Sequence, residues 1–382
     1  MDRGRGKQGV RSANELSLGE VPGDQQPTNA SLSPVARRPY LSLPREITFA
    51  ILVTLALVAG IPQTIAADGN HDAMALEPAP GLIVDPTINH LDPSILWDAG
   101  AHVYRMYTSD DWSDGSVPEY VSAKVTGPWT DAGNVLPVLP SWQGGGFQTW
   151  APEVADINGV WTLWGSTSDG DWEPAHDVLC PYRATAASPA GPFVVDPVRP
   201  PCDLLVGGDI DPSAFKVGDQ WWLVDKTNAN PLGLPTTLYS QRIGPNGELT
   251  GPRYAILTSD LPWEDGLVEA PNFVESPEHQ WWLIFSGGNI YETGAGPAYR
   301  IAAVPCKGPE GGCDESELTI LLEQDQEGVA PGEQDAFVDQ NGQWWLAYNP
   351  DGPLSPTRPL VLSELNFDSA GIPYASRPPM PG

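Results

Sequence analysis

Basic residues are scarce. Only 19 Lys and Arg stand against 49 Asp and Glu, a formal net charge of −30 over 382 residues. A surface of that sign repels nucleic acid and anionic lipid, so neither is expected as a partner, and neutral ligands fit better than phosphates. Cysteine is nearly absent as well: there are four, and no Cys-x-x-Cys pair exists to seed a zinc site. The spacing of Cys180 with Cys202 and of Cys306 with Cys313 suits two local disulfides in an exported chain, with free or metal-binding thiols as the alternative. Long helical periodicity is missing outside the leader, while 42 prolines and 40 glycines punctuate the sequence. That combination argues against a helical fold and reads as all-β with many short connections.

The N-terminal stretch, residues 1–67, reads as a leader. An apolar run from Ile47 to Ile61 follows Arg37, Arg38 and Arg45 and precedes the small residues Ala66 and Ala67, the order of an export signal. The run is shorter than the roughly 20 residues that span a bilayer comfortably, which favours cleavage over retention as a signal anchor. Membrane contact is expected only through this segment, if it is uncleaved. The Arg37-Arg38 pair fits a twin-arginine signal and also an ordinary basic leader. Either route implies a secreted or cell-surface protein.

Beyond the leader, over residues 77–377, one aromatic-rich strand pattern recurs five times. The copies begin at Tyr104, Trp161, Trp221, Trp281 and Trp344, and their starts are 57, 60, 60 and 63 residues apart. Turns such as Asn158-Gly159 and Gln340-Asn341-Gly342 precede them, so each copy is expected to be the second strand of a hairpin. Sixty residues suffice for a four-stranded sheet, and five such sheets arranged radially make a five-bladed β-propeller. A pair of β-sandwiches is the alternative, and the near-constant spacing disfavours it.

An acidic residue opens the strand before each copy: Asp92-Pro93-Ser94, Ala151-Pro152-Glu153, Asp211-Pro212-Ser213, Glu269-Ala270-Pro271 and Gly332-Glu333-Gln334-Asp335. First strands of blades line a propeller's channel, so these carboxylates are expected to converge near one end of it. Mutual repulsion would raise at least one pKa and leave that acid protonated near neutral pH. Glycoside hydrolysis needs that condition, one carboxylic acid to protonate the leaving oxygen and one carboxylate to activate water. For Glu153 and Asp335, a turn-capping or cation-holding role is the open alternative.

These motifs, in this order from about Asn89 to Phe367, resemble glycoside hydrolase family 43, five-bladed propellers that include arabinanases, α-L-arabinofuranosidases and β-xylosidases. The resemblance implies that Asp92 in His90-Leu91-Asp92-Pro93-Ser94 is the general base. It implies that Asp211 in Asp209-Ile210-Asp211-Pro212-Ser213 orients the acid and tunes its pKa, and that Glu269 in Val268-Glu269-Ala270-Pro271 is the general acid of an inverting hydrolysis. Trp150-Ala151-Pro152-Glu153 resembles the family's second-blade motif, and Arg358 occupies the place of a substrate-contacting arginine. By like-charge repulsion, Asp211 beside Glu269 is expected to keep that acid protonated. One departure is Gly332-Glu333, where the family commonly has Gly-His beside a channel ion. No cofactor is required by this chemistry; the extra carboxylate either ligates calcium or fills the imidazole's role without a metal.

Sugar faces stack on aromatic rings, which makes Trp150 and Trp263 candidate platforms, with Phe147 after Gly144-Gly145-Gly146 on a candidate loop over the pocket. The expected partner is a carbohydrate, arabinan or xylan or a related oligosaccharide. The rival readings are a propeller that binds carbohydrate without catalysis and a related glycosidase acting on another sugar.

Overall fold

The computed structural model describes residues 82–84, 89–109, 117–144, 149–169, 178–290, 298–324, 330–351 and 358–376. The apolar run 47–61 and Phe147 lie outside these residues. Among the described residues, no helix is long and apolar enough to cross a membrane.

The strands form five sheets. A short strand, β1 (Leu82–Ile83), comes first. Blade one contains β2 (Ser94–Asp98), β3 (Val103–Tyr107), β4 (Pro118–Ser122) and β5 (Thr130–Asn134); blade two contains β6 (Thr149–Ile157), β7 (Val160–Ser168), β8 (Leu179–Ala186) and β9 (Val194–Val195). Blade three contains β10 (Asp209–Val217), β11 (Gln220–Thr227), β12 (Thr237–Ile243) and β13 (Leu249–Thr258); blade four contains β14 (Val268–Glu275), β15 (Trp281–Gly287), β16 (Arg300–Cys306) and β17 (Thr319–Leu322). Blade five is built from β18 (Ala330–Val338), β19 (Trp344–Asp351) and β20 (Val361–Phe367). Its outer edge is shared: β1 pairs with β20 at Leu362 and Val361, and β21 (Pro373–Ser376) pairs with β20 at Glu364 to Phe367. Both ends of the propeller sequence thus clasp one strand, and the clasp holds the last blade to the first.

The first strands contact one another in the cyclic order β2, β6, β10, β14, β18 and back to β2. This is the five-bladed β-propeller expected from the repeat, and the five repeated segments are the second strands β3, β7, β11, β15 and β19.

The third, fourth and fifth repeats open on unbroken apolar runs because both faces of a second strand are buried. Alternate side chains of a strand point to opposite faces, so Leu283 and Phe285 pack toward blade three while Trp282 and Ile284 pack toward blade five. Likewise Trp345 and Ala347 meet blade one, whereas Leu346 and Tyr348 meet blade four. Each of the five core clusters lies between two neighbouring blades. At roughly 25 cal/mol per Å² of apolar surface removed from water, these interfaces are the main source of stability, and a blade alone would lack them.

Both expected disulfides are present, Cys180–Cys202 and Cys306–Cys313, and no cysteine is free. The first closes a span of 22 residues and the second a span of 7. Loop-closure entropy assigns about 3 kcal/mol to the longer cross-link and about 2 kcal/mol to the shorter. Urea unfolding of Cys180→Ser/Cys202→Ser should therefore show the larger loss of stability, and a larger loss for Cys306→Ser/Cys313→Ser would contradict this ordering.

Candidate active site

Each first strand carries the same irregularity. A residue with positive φ occurs once per blade at an equivalent place: Asp92 (47°), Ala151 (46°), Asp211 (55°), Ala270 (48°) and Glu333 (52°). In four blades proline follows it, and in blades two to five the register with the second strand shifts there. A non-glycine residue in this region costs on the order of 1–3 kcal/mol, so the surroundings must hold it.

They do so with hydrogen bonds from blade to blade. Ala151 N–H donates to Ser109 Oγ at 2.8 Å, Glu333 N–H to Ser286 Oγ at 3.1 Å, and Asp92 N–H to Asn349 Oδ1 at 3.0 Å. The acceptors Ser109, Ser286 and Asn349 are the sixth residues of three repeats. In blade three that place is taken by Lys226, which has no acceptor to offer. There Ala270 N–H donates instead to Asp211 Oδ2 at 3.1 Å, and Lys226 is free to point elsewhere.

Lys226 points at Glu269. Its Nζ lies 2.5 Å from Glu269 Oε2, and the side chain is 1% exposed. The other oxygen, Glu269 Oε1, accepts from the Tyr299 hydroxyl at 2.6 Å, and that hydroxyl also lies 3.2 Å from Glu333 Oε1. Asp92 accepts from Ser109 Oγ and faces Arg358 Nη2 at 3.7 Å. A pocket of about 380 Å³ gathers Asp92, Trp150, Asp211, Lys226, Glu269, Glu333 and Arg358. The sequence candidates Asp92, Asp211, Glu269, Trp150 and Arg358 are therefore brought together.

Three candidates are not. Glu153 stands two residues after the left-handed position, so it turns down the axis, where Ser94 Oγ donates to its Oε2 at 2.9 Å. Asp335 has the same offset and accepts from Ile95 N–H at 2.8 Å. Both line an axial cavity of about 40 Å³ that Asp92, Asp211 and Glu333 also border, whereas Glu269 lies only in the larger pocket, so the opening acids are shared between two adjoining spaces. Trp263 packs against Phe285, with ring centroids 6.0 Å apart, and the Arg300 guanidinium lies over it. Trp263 serves the blade core and does not line the pocket.

The electrostatics also differ from expectation. Burial raises the Glu269 pKa, but the Lys226 ammonium and the hydrogen bonds from Lys226 and Tyr299 outweigh it, so Glu269 sits below its ordinary value. Burial pushes Asp211 up to about 7, against the pull of Lys226 and with the repulsion of Glu269. Burial likewise carries Glu333 well above the carboxylate range, aided by the charges of Glu269, Asp92 and Asp211. Burial first, and like-charge repulsion second, raises Asp211 and Glu333, whereas Lys226 holds Glu269 in its charged form. Sequence reasoning missed Lys226 and Tyr299. For Lys226 there was a signal: it is the sole cation among the sixth residues of the five repeats.

Among the described residues, three carboxylates meet within 4.8 Å only at Asp260, Glu264 and Glu315, which are not part of the pocket lining.

A family model for glycosyl hydrolases family 43 matches residues 85–373. The chain belongs to that family. Family membership makes it a glycosidase. None of the curated proteins compared with the chain matches it. Among solved structures it is similar to an endo-arabinase from Bacteroides thetaiotaomicron, at 19% identity and TM-score 0.61 over 77% of this chain and 99% of that one. An endo-1,4-β-xylanase from the same organism matches at 17% identity and TM-score 0.62, over 78% and 97% of the two chains. An α-L-arabinofuranosidase from Lactobacillus brevis matches at 15% identity and TM-score 0.62, again over 78% and 97%. At these identities the likeness shows the shared fold.

Two predictions arise from this family 43 site. Asp211, Asp225 and Asp335 titrate at about 7, and Glu153 and Glu333 well above the usual value, all through burial first. Unfolded, these acids would titrate near about 4. Between those values the folded chain holds more protons than the unfolded one, so stability falls as pH rises. The melting temperature should drop from about pH 5 to about pH 8, and a rise over that range would contradict the assignment. Separately, Lys226→Met should move the Glu269 titration upward, as read by carbon NMR of glutamate-labelled protein. An unmoved titration would mean that Lys226 does not set it.

Proposed function

We propose that this glycosidase is an exported enzyme that hydrolyses arabinofuranosyl or xylosyl linkages of plant-type pentose polysaccharides or their oligosaccharides, with inversion. The observation that carries the reading is the meeting of Asp92, Asp211 and Glu269, from three different blades, in one pocket with Trp150 and Arg358. Two disulfides, the acidic surface and the leader's signal-like order support export.

In this reading Asp92, steadied by Ser109, takes a proton from a water molecule as that water attacks the anomeric carbon. The glycosidic bond breaks, and Glu269 gives a proton to the departing oxygen. Asp211 is held beside Glu269 by the Ala270 N–H bond, where it orients the acid. Trp150 offers an apolar face for the sugar, and Arg358 a fork of donors for its hydroxyls.

One observation favours a second reading, a propeller that binds sugar without cleaving it: Lys226 holds the acid in its charged form. Assays on aryl α-L-arabinofuranoside, aryl β-xyloside, arabinan and xylan separate the two. Turnover of one substrate, reduced roughly 10²- to 10⁴-fold in both Asp92→Asn and Glu269→Gln, is expected from loss of a general base or acid. Proton NMR of the first-formed sugar should show the inverted anomer. Oligosaccharide binding with no turnover would establish the second reading instead.

A further inference from the structure

Resting on the hydrolytic reading, Glu269 has to give up a proton that its own contacts do not let it keep. Glu269 Oε2 faces an ammonium, which can only donate, so that oxygen must accept. Its other oxygen is bonded to the Tyr299 hydroxyl at 2.6 Å. A proton can reach Glu269 Oε1 along that hydrogen bond, and 3.2 Å beyond the hydroxyl stands Glu333 Oε1, which is also within hydrogen-bonding reach of Glu269 itself.

The path is built into the chain at Gly332-Glu333. The Tyr299 ring lies flat against Gly332, and a Cβ at that position would run into it. Glycine therefore admits the tyrosine, and the next residue supplies the carboxyl that the tyrosine touches. Glu333 is itself held in the left-handed region, with its N–H on Ser286 Oγ. The groups facing it are Glu269, Asp92, Asp211 and Tyr299, with Arg358 and Lys226 as the cations. Burial first, and then the neighbouring carboxylates, favour its neutral form.

We propose that Glu333 stores the proton consumed in each turnover and passes it to Glu269 through the Tyr299 hydroxyl. The transfer is balanced. The Glu333 O–H bond breaks as its proton goes to Tyr299 Oη, and the Tyr299 O–H bond breaks as its proton goes to Glu269 Oε1. Glu333 is left a carboxylate, Tyr299 is unchanged, and Glu269 becomes the acid that protonates the leaving oxygen. Asp92 then releases the proton it took from water to solvent, and Glu333 takes one back. Glu333 and Tyr299 act on the reaction only through Glu269.

The test uses Glu333→Gln, Tyr299→Phe and the double variant, with circular dichroism to verify folding. Acid assistance matters for a poor leaving group and little for a good one, and is worth roughly 10²- to 10⁴-fold in all. On the phenyl glycoside each variant should lose at least about tenfold in kcat/KM, and on the dinitrophenyl glycoside less than about twofold, with the double variant no worse than either single one. Equal losses on both substrates, or none on the phenyl glycoside, would overturn the proposal. Infrared spectra of protein carrying labelled glutamate give a reading that needs no turnover. The protonated-carboxyl band near neutral pH, to which Glu153 also contributes, should lose its Glu333 component in Glu333→Gln. A band unchanged by the substitution would overturn the proposal, whereas a parent that turns over no pentoside but shows the expected loss would count against the hydrolytic reading alone.

Discussion

Five residues held in the left-handed region, one per blade, set the geometry on which the rest of the pocket depends. Each sits where a first strand enters the channel, and hydrogen bonds from the neighbouring blade hold the amides of Asp92, Ala151, Ala270 and Glu333. Local backbone cost is thereby converted into a contact between blades, which makes ring closure and site formation one event. The closure is most direct at Asn349, whose Oδ1 takes the Asp92 N–H and whose Nδ2 donates to the His90 carbonyl at 2.9 Å. Blade five therefore places the carboxylate of blade one, just as the clasp of β1 and β21 on β20 ties the two ends of the propeller together.

The chemistry enters where that pattern is broken. Serine or asparagine at the sixth repeat position completes the scaffold in blades one, four and five, whereas lysine in blade three leaves the scaffold bond to Asp211 and turns to Glu269. A single substitution within a structural repeat thus creates a buried ion pair in the pocket. Burial favours the neutral form of these acids, and the location of the buried Lys226 ammonium decides which of them stays charged. That ammonium lowers Glu269, while burial raises Asp211 and Glu333.

Support for the pocket continues outward. Arg253 pairs with Asp209 Oδ1 at 2.6 Å and Asp225 Oδ1 at 2.8 Å, residues that flank Asp211 and Lys226 in sequence. Removing one partner of such a buried network typically costs several kcal/mol. The strands that present the acid and its tuner are in this way fixed from behind by charge as well as by the apolar packing between blades three and four.

Much of this was legible in the sequence. Constant spacing of an aromatic strand fixed the number of blades, and acid-proline motifs at blade spacing picked out Asp92, Asp211 and Glu269, because repetition and turn chemistry are local properties of the chain. Disulfide pairing followed from proximity along the chain. Tertiary structure alone decided which acids share a pocket: Glu153 and Asp335 stand past the register shift of their strands and border the axial cavity, not the pocket that holds Glu269. It also decided the protonation pattern, because Lys226 and Tyr299 reach Glu269 from 43 and 30 residues away, and the pairing of charges across such distances is set by folding rather than by spacing.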